Sequence, residues 1–186
     1  MSNNLWKIFW HFLVDGGLMN SKFSVKFYEH KKLTDEIISE IIYVKSKQWK
    51  YSFDQHKKWI ESNLKNEDIH VLLYSNNKIV AYSNLVSILV NFDGKQTSCL
   101  GVGNVCASER SKGYGLELMI KVNEYLICNK KIGLLFCREV LLKFYTSLGW
   151  KQLQPKQYQI PILIYEAMVF NLSGDFSLLE YNDKLF

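Results

Sequence analysis

Residues that interrupt or crosslink a chain are scarce in this sequence of 186 residues. It contains 2 prolines and 10 glycines and no low-complexity stretch, which excludes collagen-like and disordered classes of protein. Its four cysteines form no Cys-x-x-Cys pair and follow no convincing export signal, which argues against a disulfide framework. We therefore expect a cytoplasmic protein with reduced, mostly buried thiols at Cys99, Cys106, Cys128 and Cys137.

Arginine is also rare. Of 23 basic residues only Arg110 and Arg138 are arginines, which leaves 23 − 2 = 21 lysines. In a sequence that otherwise uses lysine, an arginine indicates a position that needs the planar guanidinium group, which binds phosphate or carboxylate at two points. The net charge of +5 suits a polyphosphate cofactor, a nucleic acid or an acidic membrane, and charge alone does not choose among them.

No hydrophobic run is long enough to span a membrane. The apolar stretch from Leu5 to Val14 is about half the roughly 20 residues that a spanning helix needs, and Asp15 follows it rather than a cleavage site. Two interpretations of residues 1–18 stay open: a helix docked on the surface, or a misassigned start before Met19. An intact mass beginning at Met1 in the natively expressed protein would exclude the second.

Residues 19–186 fit one domain, because a chain of this length buries most of its apolar surface in a single core. Alternation and turn residues predict strands at 23–28, 69–74, 79–90 and 98–106, with turns at Asn76-Asn77 and Asp93-Gly94. Apolar spacing predicts a helix after Thr34, and the pair Ser52 and Gln55 predicts a capped second helix.

The second half of the sequence alternates helix and strand. An amphipathic helix is predicted over 115–128, a buried strand over 132–137, a helix over 139–147, and a closing strand or hairpin over 160–172. A strand, a helix and a strand in this order form a right-handed crossover with parallel strands. The fold class is therefore α/β with a mixed sheet.

The segment from Arg110 to Gly115 carries the chemistry of an anion site. A helix entered through Gly113 and Gly115 presents free N–H groups and a positive dipole end to phosphate, and Arg110 and Lys112 add charge. An ordinary strand-to-helix turn is the alternative for the hexapeptide alone. The P-loop and dinucleotide fingerprints are both missing from the sequence.

This motif follows one predicted strand, opens a helix, and is followed by a second strand and by Phe144-Tyr145-Thr146-Ser147-Leu148-Gly149-Trp150. In this order the two motifs resemble the signature of the GNAT (GCN5-related N-acetyltransferase) superfamily. The resemblance covers residues 23 to about 170. It implies a mixed, mostly antiparallel sheet with helices on both faces.

The resemblance also implies a function. Acetyl-CoA would lie between the strands ending at 106 and beginning at 132, and its acetyl group would pass to a primary amine of a small molecule in a ternary complex. Tyr145 would protonate the departing thiolate; a core-packing role is the alternative for this ring. The implied cofactor-binding residues are Val105, Cys106, Ala107, Arg110, Ser111, Lys112, Gly113, Tyr114, Gly115 and Leu116.

The general base is the part of this mechanism that the sequence does not supply. Many relatives keep a glutamate on the strand before the motif, whereas residues 102–106 hold no carboxylate. Glu109 and Glu139 lie near in sequence, and we expect Glu109 to be solvated. His70 is expected to be a structural histidine at the surface. No His, Cys or carboxylate group has metal spacing, so no metal is expected.

Aromatic residues are expected around the acceptor, with Glu166 and Asp175 as the nearest acids. They are Trp49, Tyr51, Phe53, Phe92, Tyr158 and Tyr165, and each is alternatively a core residue. A degenerate module that senses acyl-CoA without turnover is the main alternative function. A nucleic-acid partner is disfavoured because the lysines are spread along the chain. No membrane partner is expected, and many relatives form homodimers.

Overall fold

The computed structural model of the protein describes residues 22–161 and 164–186. The predicted extension at 1–18 and the alternative start at Met19 lie outside these residues. The helices are α1 (Asp35–Gln48), α2 (Phe53–Asn63), α3 (Tyr114–Cys128) and α4 (Leu142–Ser147). The strands are β1 (Phe23–Glu29), β2 (Ile69–Ser75), β3 (Lys78–Phe92), β4 (Lys95–Ala107), β5 (Ile132–Cys137), β6 (Lys151–Gln152), β7 (Tyr158–Gln159), β8 (Glu166–Phe170) and β9 (Leu179–Glu180).

The described strands form one mixed sheet of nine strands, whose main path runs β1-β2-β3-β4-β5-β8-β6. Neighbours along this path are antiparallel except β4 and β5, which are parallel. The helix α3 connects these two strands, as the predicted crossover requires. The mixed, mostly antiparallel α/β fold is confirmed.

Both predicted hairpin turns use two consecutive residues with positive φ. Asn76 and Asn77 have φ of 49° and 60°, and Asp93 and Gly94 have φ of 49° and 84°. Such pairs match the right-handed twist of the strands they join, which explains the preference for Asn, Asp and Gly here. The Asp93 carboxylate also accepts hydrogen bonds from the backbone of Ser177 and Leu178, so this turn anchors the C-terminal segment.

The caps of the first two helices lie where the sequence places them. The Thr34 side chain accepts a hydrogen bond from the Ile37 amide, and Ser52 and Gln55 form a reciprocal capping box. The predicted helix over 139–147 instead divides into a 3-10 turn at Glu139–Leu141 and α4. The predicted closing strand or hairpin over 160–172 is a strand, β8, and the short β7 precedes it and pairs with β9.

Two hydrophobic clusters occupy the opposite faces of the sheet. The first contains Ile41 of α1 and Ile60 of α2, and the second contains Leu118 and Met119 of α3 together with Trp150. The indole of Trp150 is fully buried and donates to Asn123 Oδ1 over 3.0 Å. Helices therefore cover both faces, and the site lies where the central strands separate.

Candidate functional site: a cleft between two parallel strands

The strands β4 and β5 pair over three residues only, in the middle of β4 and at the beginning of β5. Their register runs from Cys99 opposite Ile132 to Gly101 opposite Leu134 and then stops. Beyond this point β4 has a hydrogen-bonded neighbour on its β3 side alone, among the described residues. The two diverging strands open into a cavity of about 800 Å³, lined by β4 residues from Val102 to Val105 and by Phe136 and Cys137 of β5.

A β-bulge at Asn104 sets the shape of β4 beside this cavity. Asn84 pairs with Gly103 and Tyr82 pairs with Cys106, so Ser83 faces two residues of β4. Asn104 takes the extra position, with φ of +53°. An additional residue in one strand bends it and disrupts the regular ladder. The bulge therefore lies at the point where the cleft begins.

The loop after β4 presents unpaired amides to solvent. Ser111 and Gly113 both have positive φ, at 60° and 76°, and Gly113 is the N-cap of α3 without a side-chain cap. The first intrahelical bond of this turn runs from the Glu117 amide to the Gly113 carbonyl, which leaves the amides before Glu117 without a helical acceptor. Arg110 and Lys112 are exposed here. Free amides at a helix start beside two exposed cations are the features that an anion site requires.

A family model for an acetyltransferase (GNAT) domain matches residues 29–153, which is well over half of the chain. The chain belongs to the GNAT family. No match was found among curated proteins.

Solved structures share this GNAT fold at low sequence identity. ElaA from Escherichia coli is 19% identical with a TM-score of 0.58, over 79% of this chain and 98% of that chain. YhbS from Escherichia coli, solved in complex with CoA, is 14% identical with a TM-score of 0.60, over 86% and 89%. The PaiA N-acetyltransferase from Thermoplasma acidophilum, in complex with coenzyme A, is 16% identical with a TM-score of 0.52, over 78% and 98%.

Tyr145 of this GNAT chain lines the cavity from α4. Its side chain is 5% exposed, and its ring packs against Phe144 and Trp150. Burial raises the pKa of the phenol well above its usual value, so the hydroxyl stays protonated. This hydroxyl has no hydrogen-bond partner among the described residues, and Tyr145 forms part of the cavity wall. The ring is thus both a core residue and a cavity residue, and the two interpretations of Tyr145 are compatible.

The cysteines beside the cavity are poor nucleophiles. Cys106 and Cys137 are buried, and burial raises their pKa values to about 12 and about 11. A thiol reacts as its thiolate, which these values suppress at neutral pH. All four cysteines are free and three of them are buried, as the sequence predicts, whereas Cys128 is exposed.

The lining of the cavity is positively charged. Lys45 of α1 and Arg138 after β5 line it, whereas no aspartate or glutamate of the described ranges does. Glu109 and Glu139 are exposed and lie outside the lining. No aspartate or glutamate side chain of the described residues therefore takes the place of the carboxylate that the sequence lacks on β4.

Lys45 is the feature of this site that the sequence prediction missed. Its side chain is 2% exposed, and Nζ donates to Asn104 Oδ1 over 2.6 Å. The ammonium lies 4.2 Å, 5.5 Å and 5.7 Å from the ring centroids of Trp59, Trp49 and Tyr82. We call this arrangement the lysine cage. A signal was present, because Lys45 follows Ile41 by four residues and so falls on the buried stripe of α1.

The expected acceptor residues divide into two groups. Trp49, Tyr51 and Tyr165 line the cavity. Phe92 instead packs against Phe176, with ring centroids 5.1 Å apart, and neither Phe53 nor Tyr158 belongs to the lining. The acids Glu166 and Asp175 are also absent from it.

The prediction that His70 lies at the surface is wrong. The side chain is fully buried, with Nδ1 3.0 Å from the Tyr82 hydroxyl and Nε2 3.0 Å from His30 Nδ1. Burial, followed by the charges of His30 and Lys45, lowers the pKa of His70 to about 3. His70 does not line the cavity. It is a neutral structural residue, and strand alternation alone did not show which face it takes.

The C-terminal residues close the cavity over β4. Leu185 and Phe186 line it, and Phe186 lies directly on two glycines of the strand. A Cβ atom at Gly101 would lie 2.5 Å from the Phe186 ring, and one at Gly103 would lie 2.6 Å from the Phe186 carbonyl carbon. These glycines therefore permit the close contact.

Across residues 22–161 and 164–186, no helix is long and apolar enough to cross a membrane. Nor does this part of the chain contain a group of three or more His, Cys, Asp or Glu side chains placed to hold a metal ion.

Proposed function

We propose that this protein is an N-acetyltransferase that transfers the acetyl group of acetyl-CoA to a primary amine of a small molecule. The observation that carries the proposal is the open edge of β4 beside β5, which ends at an anion-binding loop. The donor would pair with the main chain of Val105, Cys106 and Ala107. Its pyrophosphate would bind the amides from Ser111 to Leu116, which include those of Lys112, Gly113, Tyr114 and Gly115.

Charge and fold both support acetyl-CoA as the donor. Arg110 and Lys112 place two exposed cations beside the free amides, which favours a pyrophosphate. The similar folds of YhbS and PaiA were solved with coenzyme A bound. The pyrophosphate end of acetyl-CoA would then lie along the loop, and the thioester at its other end would reach the cavity between the strands.

The proposed reaction is direct attack within a ternary complex. The amine nitrogen attacks the thioester carbonyl carbon, the C–N bond forms, and the C–S bond breaks. Tyr145 donates its proton to the departing CoA sulfur. The raised pKa of Tyr145 keeps the phenol protonated at neutral pH, so a proton is present when the sulfur leaves.

The size of the cavity, about 800 Å³, favours a small acceptor. It is bounded by α1 and α2, by the cleft strands, by α4 and by the C-terminal residues. Because the described lining contains no aspartate or glutamate side chain and holds Lys45 and Arg138, it is poorly matched to a polycationic acceptor. We therefore expect acceptors with a single amine to be used better than polyamines.

The missing carboxylate also favours a second candidate, an acyl-CoA sensor without turnover. A free-thiol release assay with acetyl-CoA distinguishes the two candidates. The panel contains amino acids, polyamines, aminoglycosides and peptides with free N-termini, and acetyl-CoA affinity is measured in parallel by calorimetry. Thiol release that depends on an amine, together with an acetylated product by mass spectrometry, supports the enzyme. Tight binding of acetyl-CoA without release for any amine supports the sensor.

A further inference from the structure

Lys45 is a buried cation without an acidic partner. Its side chain is 2% exposed, and none of the ion pairs among the described residues includes it. A lysine is almost never buried to this extent unless it is paired. Such a group on the wall of a cavity is a candidate for function, because a purely structural position would be filled at lower free-energy cost by an apolar side chain.

The lysine cage holds the amine in place without an ion pair. The rings of Trp59, Trp49 and Tyr82 stabilise an ammonium through their π faces, and they do so more weakly than a buried carboxylate would. The single hydrogen bond is to a neutral amide oxygen, Asn104 Oδ1. A carboxylate in this place would hold the proton on the nitrogen. The cage therefore allows Lys45 to exchange a proton.

The partner of Lys45 lies on the β-bulge. Asn104 donates in turn from Nδ2 to Asn84 Oδ1 over 2.8 Å, which fixes which end of the Asn104 amide faces the lysine. The bulge lies at the start of the cleft, next to the open edge of β4. The Nζ atom is thus held at the level of the sheet where the thioester of the proposed donor would arrive.

We propose that Lys45 is the general base of this protein, taking the place of the carboxylate that β4 lacks. The inference rests on the acetyltransferase function proposed above. The geometry that carries it is a caged, unpaired lysine that lines the same cavity as Tyr145. The base therefore comes from α1, on one side of the cavity, and the acid comes from α4.

The proton balance of the step is as follows. The neutral Lys45 amine takes a proton from the acceptor ammonium, which gives a neutral acceptor and a lysine ammonium. The acceptor nitrogen attacks, and the CoA sulfur leaves with the proton of Tyr145. The tyrosinate then takes the second proton of the acetylated nitrogen, and Lys45 returns its proton to water. The net products are the amide, free CoA and one proton.

Burial lowers the pKa of Lys45 to about 8. About one molecule in ten then carries a neutral Lys45 at pH 7, against fewer than about one in a thousand for an exposed lysine. The titratable groups around it are His56 of α2, His70 of β2, Tyr82 of β3 and Cys106 of β4. Tyr82, His70 and Cys106 keep neutral forms at pH 7, because burial shifts each pKa in that direction.

The test compares Lys45→Met with Lys45→Arg. Methionine keeps an unbranched side chain in the cage, and arginine keeps the charge but cannot lose its proton. We expect both variants to lower kcat at pH 7 by about 100-fold or more, with acetyl-CoA affinity unchanged within about threefold. Lys47→Met is the matched control, because Lys47 lies on the same helix with an exposed side chain, and it should keep wild-type kcat.

The pH dependence separates a base from a structural role. The wild-type kcat should rise with a midpoint near 8, the pKa of Lys45. In Lys45→Met the rise should move to the pKa of the acceptor amine itself, and above that pH the variant should recover most of the wild-type rate. A loss of kcat that persists at every pH would overturn the inference.

Two further results would also overturn it. Full activity of Lys45→Arg would show that only the charge matters. A single acetyl adduct on Lys45, after wild-type protein is incubated with acetyl-CoA alone, would show that Lys45 is an acyl acceptor. If the wild-type protein releases no thiol with any amine, the proposed function fails and this inference fails with it. An active wild type with an active Lys45→Arg variant contradicts this inference alone.

Discussion

Replacing Tyr145 by phenylalanine removes one oxygen atom from the cavity wall and little else. The ring contacts with Phe144 and Trp150 persist, and no hydrogen bond of the described residues is lost. The free energy of unfolding should therefore change by less than about 1 kcal/mol. As the general acid, however, the hydroxyl should contribute about 100-fold to 10,000-fold to turnover. That is about 3–5 kcal/mol of transition-state free energy.

The assay measures kcat by thiol release, acetyl-CoA affinity by calorimetry and unfolding by urea titration, on the same preparations. Tyr145→Phe should lose turnover and keep its affinity and stability. Tyr125→Phe is the matched control, since Tyr125 stacks on Phe27 at 4.7 Å and does not line the cavity. Turnover of Tyr145→Phe within about threefold of wild type would refute the acid role. A loss of affinity as large as the loss of turnover would indicate a binding role instead.

Three other predictions concern the frame around the site. Trp150→Phe should lower the free energy of unfolding by about 2–4 kcal/mol in urea, because it leaves a void and leaves Asn123 Oδ1 without its donor; a loss under about 1 kcal/mol would contradict this. His70 should make the protein about 2 kcal/mol less stable at pH 5 than at pH 7. In the unfolded chain His70 binds a proton once the pH falls below 6.5, its ordinary pKa. In the folded protein the pKa of His70 is about 3, so the free energy of unfolding decreases as the pH falls from 6.5 towards 3. His70→Asn should flatten this dependence in urea titrations at both pH values, and an unchanged slope would be evidence against it. Gly103→Ala should displace Phe186 and raise hydrogen exchange in the last residues, because its Cβ would meet the Phe186 backbone; unchanged exchange would contradict that contact.

The sequence predicted the local features of this fold well, because each depends on residues close together in the chain. The capping box of Ser52 and the paired asparagines at 76 and 77 fix their turns by side-chain geometry within three residues. The crossover around α3 also follows from chain order alone. The start of α3 at Gly113 was predictable for the same reason, because Gly113 and Gly115 lie in one short segment.

The acceptor side of the site depends on contacts between distant segments, and the sequence could not supply them. Lys45 meets Asn104 across 59 positions. The aromatic residues of the cage come from the residue after α1, from α2 and from β3, and nothing in their spacing along the chain predicts that they meet. His70 was misplaced for a related reason. Its partners are at positions 30 and 82, and only the assembled sheet shows that both lie beside it.

The bulge at Asn104 also limits how this strand can change over evolutionary time. Cys99 and Cys106 pack on the same face of the sheet although they are an odd number of positions apart, which a regular strand does not allow. Deleting one residue there would exchange the faces of everything from Val105 to Ala107. Homologous sequences should therefore keep the length of this segment, and alignments that place a gap there should be distrusted.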